Sequence, residues 1–168
     1  HDHYWVGTNH FHQKDTSQLE KLAGDTLVTT GARLREIVQE WSLRSAQDQL
    51  GHFFNNARVL FMSGTTNYRM ASVMAEFTQN LSFADPVLQF GTPGLLHSLR
   101  ALELYAAGSQ PVMRLRPGRG VLRSFAPARL ANRLLLNKAV KDADVIVAPY
   151  HQLERYSLEE LDGKVVLT

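Results

Sequence analysis

Short apolar runs alternate with stretches of helical spacing along the second part of this sequence, and that alternation limits the folds available to it. Such continuously apolar runs are typical of strands that are covered on both faces. The predicted strands are 58–62, 86–90, 111–115, 144–148 and 164–168, and the predicted helices between them are 68–80, 95–108 and 127–141. Strands that alternate with helices indicate βαβ units and a parallel sheet.

We therefore predict an α/β fold, a three-layer parallel sheet of about five strands flanked by helices and preceded by an N-terminal helical segment. The 168 residues fit one domain. We expect a flexible segment at 1–16 and a single domain at 17–168, with a helical lead-in at 17–56 and a sheet-containing part at 57–168. The sequence ends on a predicted strand, so further strands are expected to follow Thr168 in a longer chain.

The composition excludes several classes of protein and site. The sequence has no cysteine, which excludes disulfides, thiolate zinc sites and a cysteine nucleophile. It has no apolar run long enough to cross a membrane, and it opens on His1-Asp2-His3 rather than on a signal peptide. We expect a cytoplasmic protein without a cofactor. The histidines near the N-terminus could bind a metal or could be the remnant of a purification tag. The sequence leaves both interpretations open, and no metal site is predicted.

The junction between the first predicted strand and its helix is the candidate binding loop, Ser63-Gly64-Thr65-Thr66-Asn67. In parallel sheets, ligands bind where strands end and helices begin, because free N–H groups and the helix dipole favour an anion there. Gly64 would allow close approach of the backbone, and the three hydroxyls could donate to phosphate oxygens. The loop has neither a GxxxxGK[ST] nor a GxGxxG motif. Helix capping by Thr65, Thr66 or Asn67 is the alternative.

This loop and the helix after it resemble the sugar isomerase (SIS) family, especially its sedoheptulose-7-phosphate isomerase branch. That branch has a glycine-rich loop with a serine after its first strand and a glutamate further along the following helix. Here Gly64-Thr65-Thr66 matches the loop, with Thr66 at the serine, and Glu76 within Met74-Ala75-Glu76-Phe77 matches the glutamate. The resemblance implies phosphate binding by the loop and acid–base catalysis by Glu76. The segments 142–146 and 164–168 also resemble that family around its later strands.

The local sequence allows two interpretations of Glu76. A carboxylate among apolar neighbours would have a raised pKa and would suit proton transfer. An exposed glutamate on the polar side of the helix is the alternative.

Two features of the SIS family are missing. Its second phosphate loop, rich in serine and glycine, corresponds here to Pro149-Tyr150-His151-Gln152-Leu153, which has no serine. Its usual catalytic histidine lies near its C-terminus, beyond Thr168. In this chain His151, at the end of a predicted strand, is the candidate general acid or base.

Two weaker resemblances concern the same loop. Flavodoxins have a hydroxyl-rich phosphate loop after strand one, and receiver domains often begin their first helix much as Asn67-Tyr68-Arg69 does. Receivers require acidic residues and a phosphorylated aspartate, but Met62-Ser63 and Leu115-Arg116 stand at those places. The second resemblance therefore implies only a pseudo-receiver, which cannot be phosphorylated.

Basic residues are concentrated in one segment. The net charge is only +2, but eight basic residues and no acidic one lie between Arg114 and Lys141. Such a block indicates an anionic partner, or else a solvated surface. Arg114, Arg116 and Arg119 are the residues predicted to contact an anion. Nucleic-acid contact through 114–141 ranks lowest, because Phe125 is the only aromatic residue in the block.

The leading hypothesis is binding of a phosphorylated sugar or a similar small anion at 63–67, with aldose–ketose isomerase activity as its catalytic form. The alternative is a non-catalytic signalling or regulatory module, like a degenerate SIS domain or a pseudo-receiver, that acts through protein contacts. The expected partners are a small phosphorylated ligand and either a second copy of the chain or another protein, without a membrane.

Overall fold

The structure is a computed structural model that describes residues 32–115, 126–154 and 160–168. This part of the chain forms an α/β fold, with a parallel sheet flanked by helices. The strands are β1 Val59–Phe61, β2 Leu81–Phe83, β3 Val145–Val147 and β4 Val165–Leu167. The α-helices are α1 Ala32–Gln49, α2 Tyr68–Phe77, α3 Leu99–Leu115, α4 Ala126–Asp142 and α5 Tyr150–Leu153, and a π-helix spans Pro86–Phe90. The predicted segment 1–16 lies outside the described residues.

The sheet has the order β2-β1-β3-β4, and its neighbouring strands pair in parallel. Leu60 of β1 is in register with Ser82 on one side and with Ile146 on the other. The chain therefore leaves β1 for the strand on one side and later returns to the strand on its other side. This reversal of direction lies between β1 and β3, and it positions the candidate site.

Successive residues of β1 belong to two different apolar clusters. Val59 and Phe61 pack with side chains of α1, α2 and α3, among them Leu43, Met74 and Leu102. Leu60 packs with Leu136 and Val140 of α4 and with Ile146 of β3. Because helical side chains meet both sets of residues, β1 is continuously apolar.

Three of the five predicted strands are confirmed, since β1, β3 and β4 lie within 58–62, 144–148 and 164–168. The helical character of the lead-in is confirmed over α1. Neither the count of five strands nor the three-layer arrangement is established, and both stay predictions.

The strand predicted at 86–90 is wrong, because this segment is the π-helix. A short apolar run does not distinguish a strand from a helix. Pro86, at the first position of the helix, needs no backbone partner there, which favours a helix start. The segment ends at Gly91, whose left-handed φ of 72° suits glycine.

The strand predicted at 111–115 is also wrong, because α3 continues through Gly108 to Leu115. Leu102, Ala106 and Ser109 are all buried, so the buried face of the helix extends past the glycine at helical spacing. Packing of this face outweighs the helix-breaking tendency of Gly108, which is worth about 1 kcal/mol.

Strand β2 was not predicted, because the polar Ser82 interrupts its apolar pattern and it follows a helix that was expected to reach Asn80. Instead α2 ends at Phe77, and Thr78 is extended, with its hydroxyl donating to the Ala57 carbonyl at 2.8 Å. Phe83 then stacks on Phe61 of β1, with 5.3 Å between ring centroids. Cross-strand packing of this kind supports a strand that has no continuous apolar run.

Helix α1 carries an exposed apolar stripe. Leu34, Ile37, Val38 and Trp41 are 65, 63, 52 and 70 % exposed and share one helical face. On another face, Arg44 pairs with Glu76 of α2 at 2.8 Å, and Glu40 pairs with Arg69. No helix among the described residues is long and apolar enough to span a membrane.

Gly64 allows the loop after β1 to lie directly on the core. A Cβ atom at this position would be 2.3 Å from Cδ1 of Phe83 and 3.0 Å from Cδ2 of Leu102. The close approach predicted for Gly64 is therefore made to buried side chains of the same chain.

We expect Gly64→Ala to lower the free energy of unfolding by about 1–3 kcal/mol, because the methyl group overpacks this contact. Gly108→Ala is the matched control, since Gly108 has open space around its Cα. It lies inside α3, so alanine there should raise stability by about 0.5–1 kcal/mol. Urea denaturation of both variants tests the pair, and a neutral Gly64→Ala would contradict the packing argument.

The ion pair between Asp144 and Arg58 should make the stability of the fold depend on acidic pH. Asp144 joins the starts of β1 and β3 by accepting from the Arg58 backbone N–H at 2.8 Å and from its guanidinium at 2.7 Å. The guanidinium lowers the pKa of Asp144 to about 2. The stabilisation is therefore present above the ordinary aspartate pKa and is lost as the pH falls towards about 2.

Asp144→Asn should flatten this acid dependence of the unfolding free energy, whereas Asp48→Asn, at an exposed site of α1, should leave it unchanged. Urea midpoints measured at a series of acidic pH values test the difference. Equal acid dependence in wild type and Asp144→Asn would refute the assignment.

Candidate functional site

The loops after β1 and β3 lie at the same edge of the sheet. Phe61 and Val147, the last residues of the two strands, are in register, and the Met62 N–H donates to the Val147 carbonyl at 2.9 Å. The loop 63–67 and the segment 149–151 follow directly, and we call their edge the carboxyl edge. Because the chain reverses direction between these two strands, this is the position at which open α/β sheets bind ligands.

Two backbone N–H groups of the loop 63–67 already have an acceptor within the chain. Asp85 is fully buried, and its carboxylate accepts from Gly64 N–H at 2.7 Å and from Thr65 N–H at 3.0 Å. The Thr65 hydroxyl also donates to it, at 2.6 Å. Gly64 and Thr65, predicted as phosphate contacts, therefore bind an internal carboxylate in this structure, and their contact with a phosphate stays a prediction.

Further side chains complete the network around Asp85. Gln89 of the π-helix donates to Thr65 Oγ1 at 3.0 Å and to Asp85 Oδ1 at 3.2 Å, and the Tyr105 hydroxyl of α3 donates to Gln89 Oε1 at 2.9 Å. Burial raises the pKa of Asp85, and the hydrogen bonds from Thr65 and Gly64 oppose that rise. The network fixes the loop against β2, the π-helix and α3.

The remaining polar groups of the loop lie nearer to solvent. Thr66 is exposed, and its hydroxyl is 2.8 Å from Ser63 Oγ, while the Asn67 amide donates to the Ser63 carbonyl at 2.9 Å. Asn67 occupies the N-cap position of α2, but among the described residues its side chain makes no capping hydrogen bond. The side chains of Ser63, Thr66 and Asn67 thus lie at the N-terminus of α2, where Asn67 does not cap the helix.

Glu76 lies away from this edge. It is near the C-terminal end of α2, roughly 13 Å along the helix axis from Asn67. It is exposed and pairs with Arg44 through bonds of 2.8 and 2.9 Å. Hydrogen bonding to Arg44 lowers the pKa of Glu76, so of the two interpretations the structure agrees with the exposed glutamate and not with the raised pKa. The neighbours that looked apolar in the sequence point elsewhere, because Met74 faces the core while Glu76 faces α1.

The structure brings His151 to the same edge as the loop. It lies on α5 directly after Pro149 and Tyr150, and both His151 and Tyr150 are exposed. Of the basic residues predicted to contact an anion, Arg114 lies in the last turn of α3, while Arg116 and Arg119 lie outside the described residues. Within the described ranges, no group of three or more His, Asp or Glu side chains is placed to hold a metal ion.

Asp85 is the important residue that sequence reasoning missed. Its signal is an acidic residue that follows the segment Leu81–Ala84, in which Ser82 is the one polar residue, and precedes a proline. Reading Pro86 as a helix start rather than as part of a strand would have placed Asp85 at a strand end. Acidic residues at strand ends are candidates for the same edge as the loop after β1.

We expect Asp85→Asn to lower the free energy of unfolding by about 1–3 kcal/mol, because the asparagine NH₂ group would face backbone N–H donors in a buried site. Asp48→Asn is the control for loss of a carboxylate at an exposed position, where changes stay within about 0.5 kcal/mol. Urea denaturation at neutral pH measures both. An Asp85→Asn variant as stable as wild type would show that the network does not hold the loop.

Comparison with known proteins gives one positive result. A family profile described as "Domain of unknown function (DUF8754)" matches residues 33–168, a range that includes both loops of the carboxyl edge. No curated protein and no solved structure matches the sequence. Because the profile covers most of the chain, the protein belongs to the family of the domain of unknown function DUF8754.

Proposed function

We propose that the protein binds a small phosphorylated molecule, such as a sugar phosphate, at the carboxyl edge of the sheet. The observation that carries the proposal is the N-terminus of α2, which Asn67 leaves without a side-chain cap and which lies beside the Ser63 and Thr66 hydroxyls. The dipole of a helix favours an anion at its N-terminus, and hydroxyls add neutral donors to such a site.

The proposed contacts are Ser63, Thr66 and Asn67. The Thr66 hydroxyl is exposed and bonds within the loop to the Ser63 hydroxyl and carbonyl, so it can turn towards a ligand while its internal bonds are exchanged. The Asn67 amide can donate in the same way, because its present acceptors lie within the same loop.

Asp85 supports this site without contacting the ligand. Its bonds to Gly64 and Thr65 hold the residues between Ser63 and Thr66, which fixes the spacing of the two hydroxyls. A loop that is already ordered costs less conformational entropy when a ligand binds.

The segment after β3 would meet the rest of the ligand. Tyr150 and His151 are exposed at the same edge, where they can donate hydrogen bonds to sugar hydroxyls. Glu76 has a structural role in this proposal, as the partner of Arg44. Any isomerase activity would therefore depend on His151. The proposal itself is one of ligand binding and does not require catalysis.

We expect wild-type protein to bind members of a panel of sugar phosphates in isothermal titration calorimetry, with inorganic phosphate as the minimal probe. Thr66→Ala should weaken binding about tenfold or more, because it removes a donor to a charged group. Ser45→Ala on α1 removes a hydroxyl that accepts from Gln49 at 3.2 Å, and it should bind like wild type. Glu76→Gln should also leave binding unchanged.

Absence of binding to the whole panel at millimolar concentration would overturn the proposal. Equal affinity in wild type and Thr66→Ala would move the site away from this loop. Gly64 variants are unsuitable for the test, because their effect on packing would lower binding whether or not the loop contacts a ligand.

A further inference from the structure

A cavity of about 480 Å³ opens at the opposite end of the sheet, which we call the amino edge. Its walls come from the starts of β1 and β2, from one side of α4, and from the segment 95–97. It is separate from the loop 63–67 and contains none of its residues. Its volume lies in the range of small-molecule sites, which is about 300–1,000 Å³.

The helices leave this part of the sheet uncovered for a simple reason. Helix α4 packs over Leu60 and Ile146, the central residues of β1 and β3. Beyond Leu60, the next position in register is Ser82 of β2. The π-helix that adjoins β2 starts only after that strand ends, so it lies towards the carboxyl edge and the amino half of β2 stays open.

Ser82 is the polar exception in its row of the sheet. The residues paired across this row are Ser82, Leu60, Ile146 and Val166, of which the last three pack in the apolar cluster with α4. A serine at this place keeps the cavity open, because a larger apolar side chain would fill it. Its hydroxyl instead shares a hydrogen bond of 3.3 Å with His97 Nδ1.

The inner wall of the cavity is apolar. Leu60 is buried, whereas Leu95, Leu135 and Ala139 are only half-buried although they pack against the same cluster. These half-buried side chains present apolar surface to the cavity. An apolar ligand group placed there would be removed from water together with that surface.

Among the described residues, the rim of the cavity carries one cation that is free to accept an anion. Arg58 is already paired with Asp144 at 2.7 Å, which neutralises its charge, and Asp142 lies at the same rim. Lys138 is exposed, and within the described ranges it has no ion-pair partner. Lys138 and the imidazole of His97 both line the cavity, and each can donate to a carboxylate.

From this arrangement we propose that the amino-edge cavity binds a small amphipathic carboxylate, with its apolar body against Leu60, Leu95 and Leu135 and its carboxylate at Lys138. The apolar wall supplies most of the affinity, and the lysine orients the ligand. This site does not depend on the phosphate site proposed at the carboxyl edge, so the failure of either leaves the other standing.

Sodium octanoate, used below its micelle concentration, is the probe. Titration into ¹⁵N-labelled protein should shift the amide signals of Ser82, His97 and Lys138, and give a dissociation constant. Lys138→Ala should weaken octanoate binding about three- to tenfold, since it removes a partly solvated charge contact. Lys141→Ala, on the same helix but outside the cavity, should bind octanoate like wild type. Neutral 1-octanol should show a much smaller difference between the two variants.

The variant Ser82→Leu provides a second, independent test of where octanoate binds. Leucine would match its apolar neighbours in the row and should fill the cavity, so octanoate shifts should disappear while the melting temperature is retained. The proposal is overturned if octanoate shifts no cavity signal, if its shifts lie on the exposed stripe of α1 instead, or if Lys138→Ala and Lys141→Ala bind it equally.

Discussion

The buried carboxylate of Asp85 joins four parts of the fold. It accepts from the loop after β1, it lies between β2 and the π-helix in the chain, and through Gln89 it is connected to Tyr105 of α3. A carboxylate this deeply buried is costly unless its acceptors are satisfied, and here two backbone N–H groups, a hydroxyl and an amide satisfy it. The loop, in turn, can lie against Phe83 and Leu102 only because position 64 is glycine. The geometry of the carboxyl edge follows from these two conditions together.

The fold could be predicted from sequence where apolar runs are long enough to be buried on both faces. Residues 145–147 are such a case, since every one of them is buried and a helical pattern precedes them. Prediction failed where the deciding contact is distant in sequence. Phe83 forms a strand because it stacks on Phe61, and α3 continues past Gly108 because its buried face continues. Neither contact is visible in a short window of sequence.

For the candidate site, too, the sequence predicted some features and missed others. The sequence placed the loop and His151 at strand ends, and parallel pairing of β1 with β3 brings both to one edge. It left two interpretations open for Glu76, because the direction in which a helical side chain points depends on which face of the helix packs against the core. Met74 packs in the core, whereas Glu76 faces α1 and pairs with Arg44. It missed Asp85, because the strand that ends beside it was not recognised.

Every strand of the described sheet has only three residues. At about 3.3 Å per residue, the two edges of the sheet are roughly 10 Å apart, slightly more than the Debye length of about 8 Å at physiological ionic strength. Exposed charges at the two edges are therefore largely screened from each other at physiological salt, but at 0.01 M salt the Debye length of about 30 Å exceeds that separation. In a sheet of such short strands, the salt concentration decides whether the two ends act as electrostatically separate surfaces.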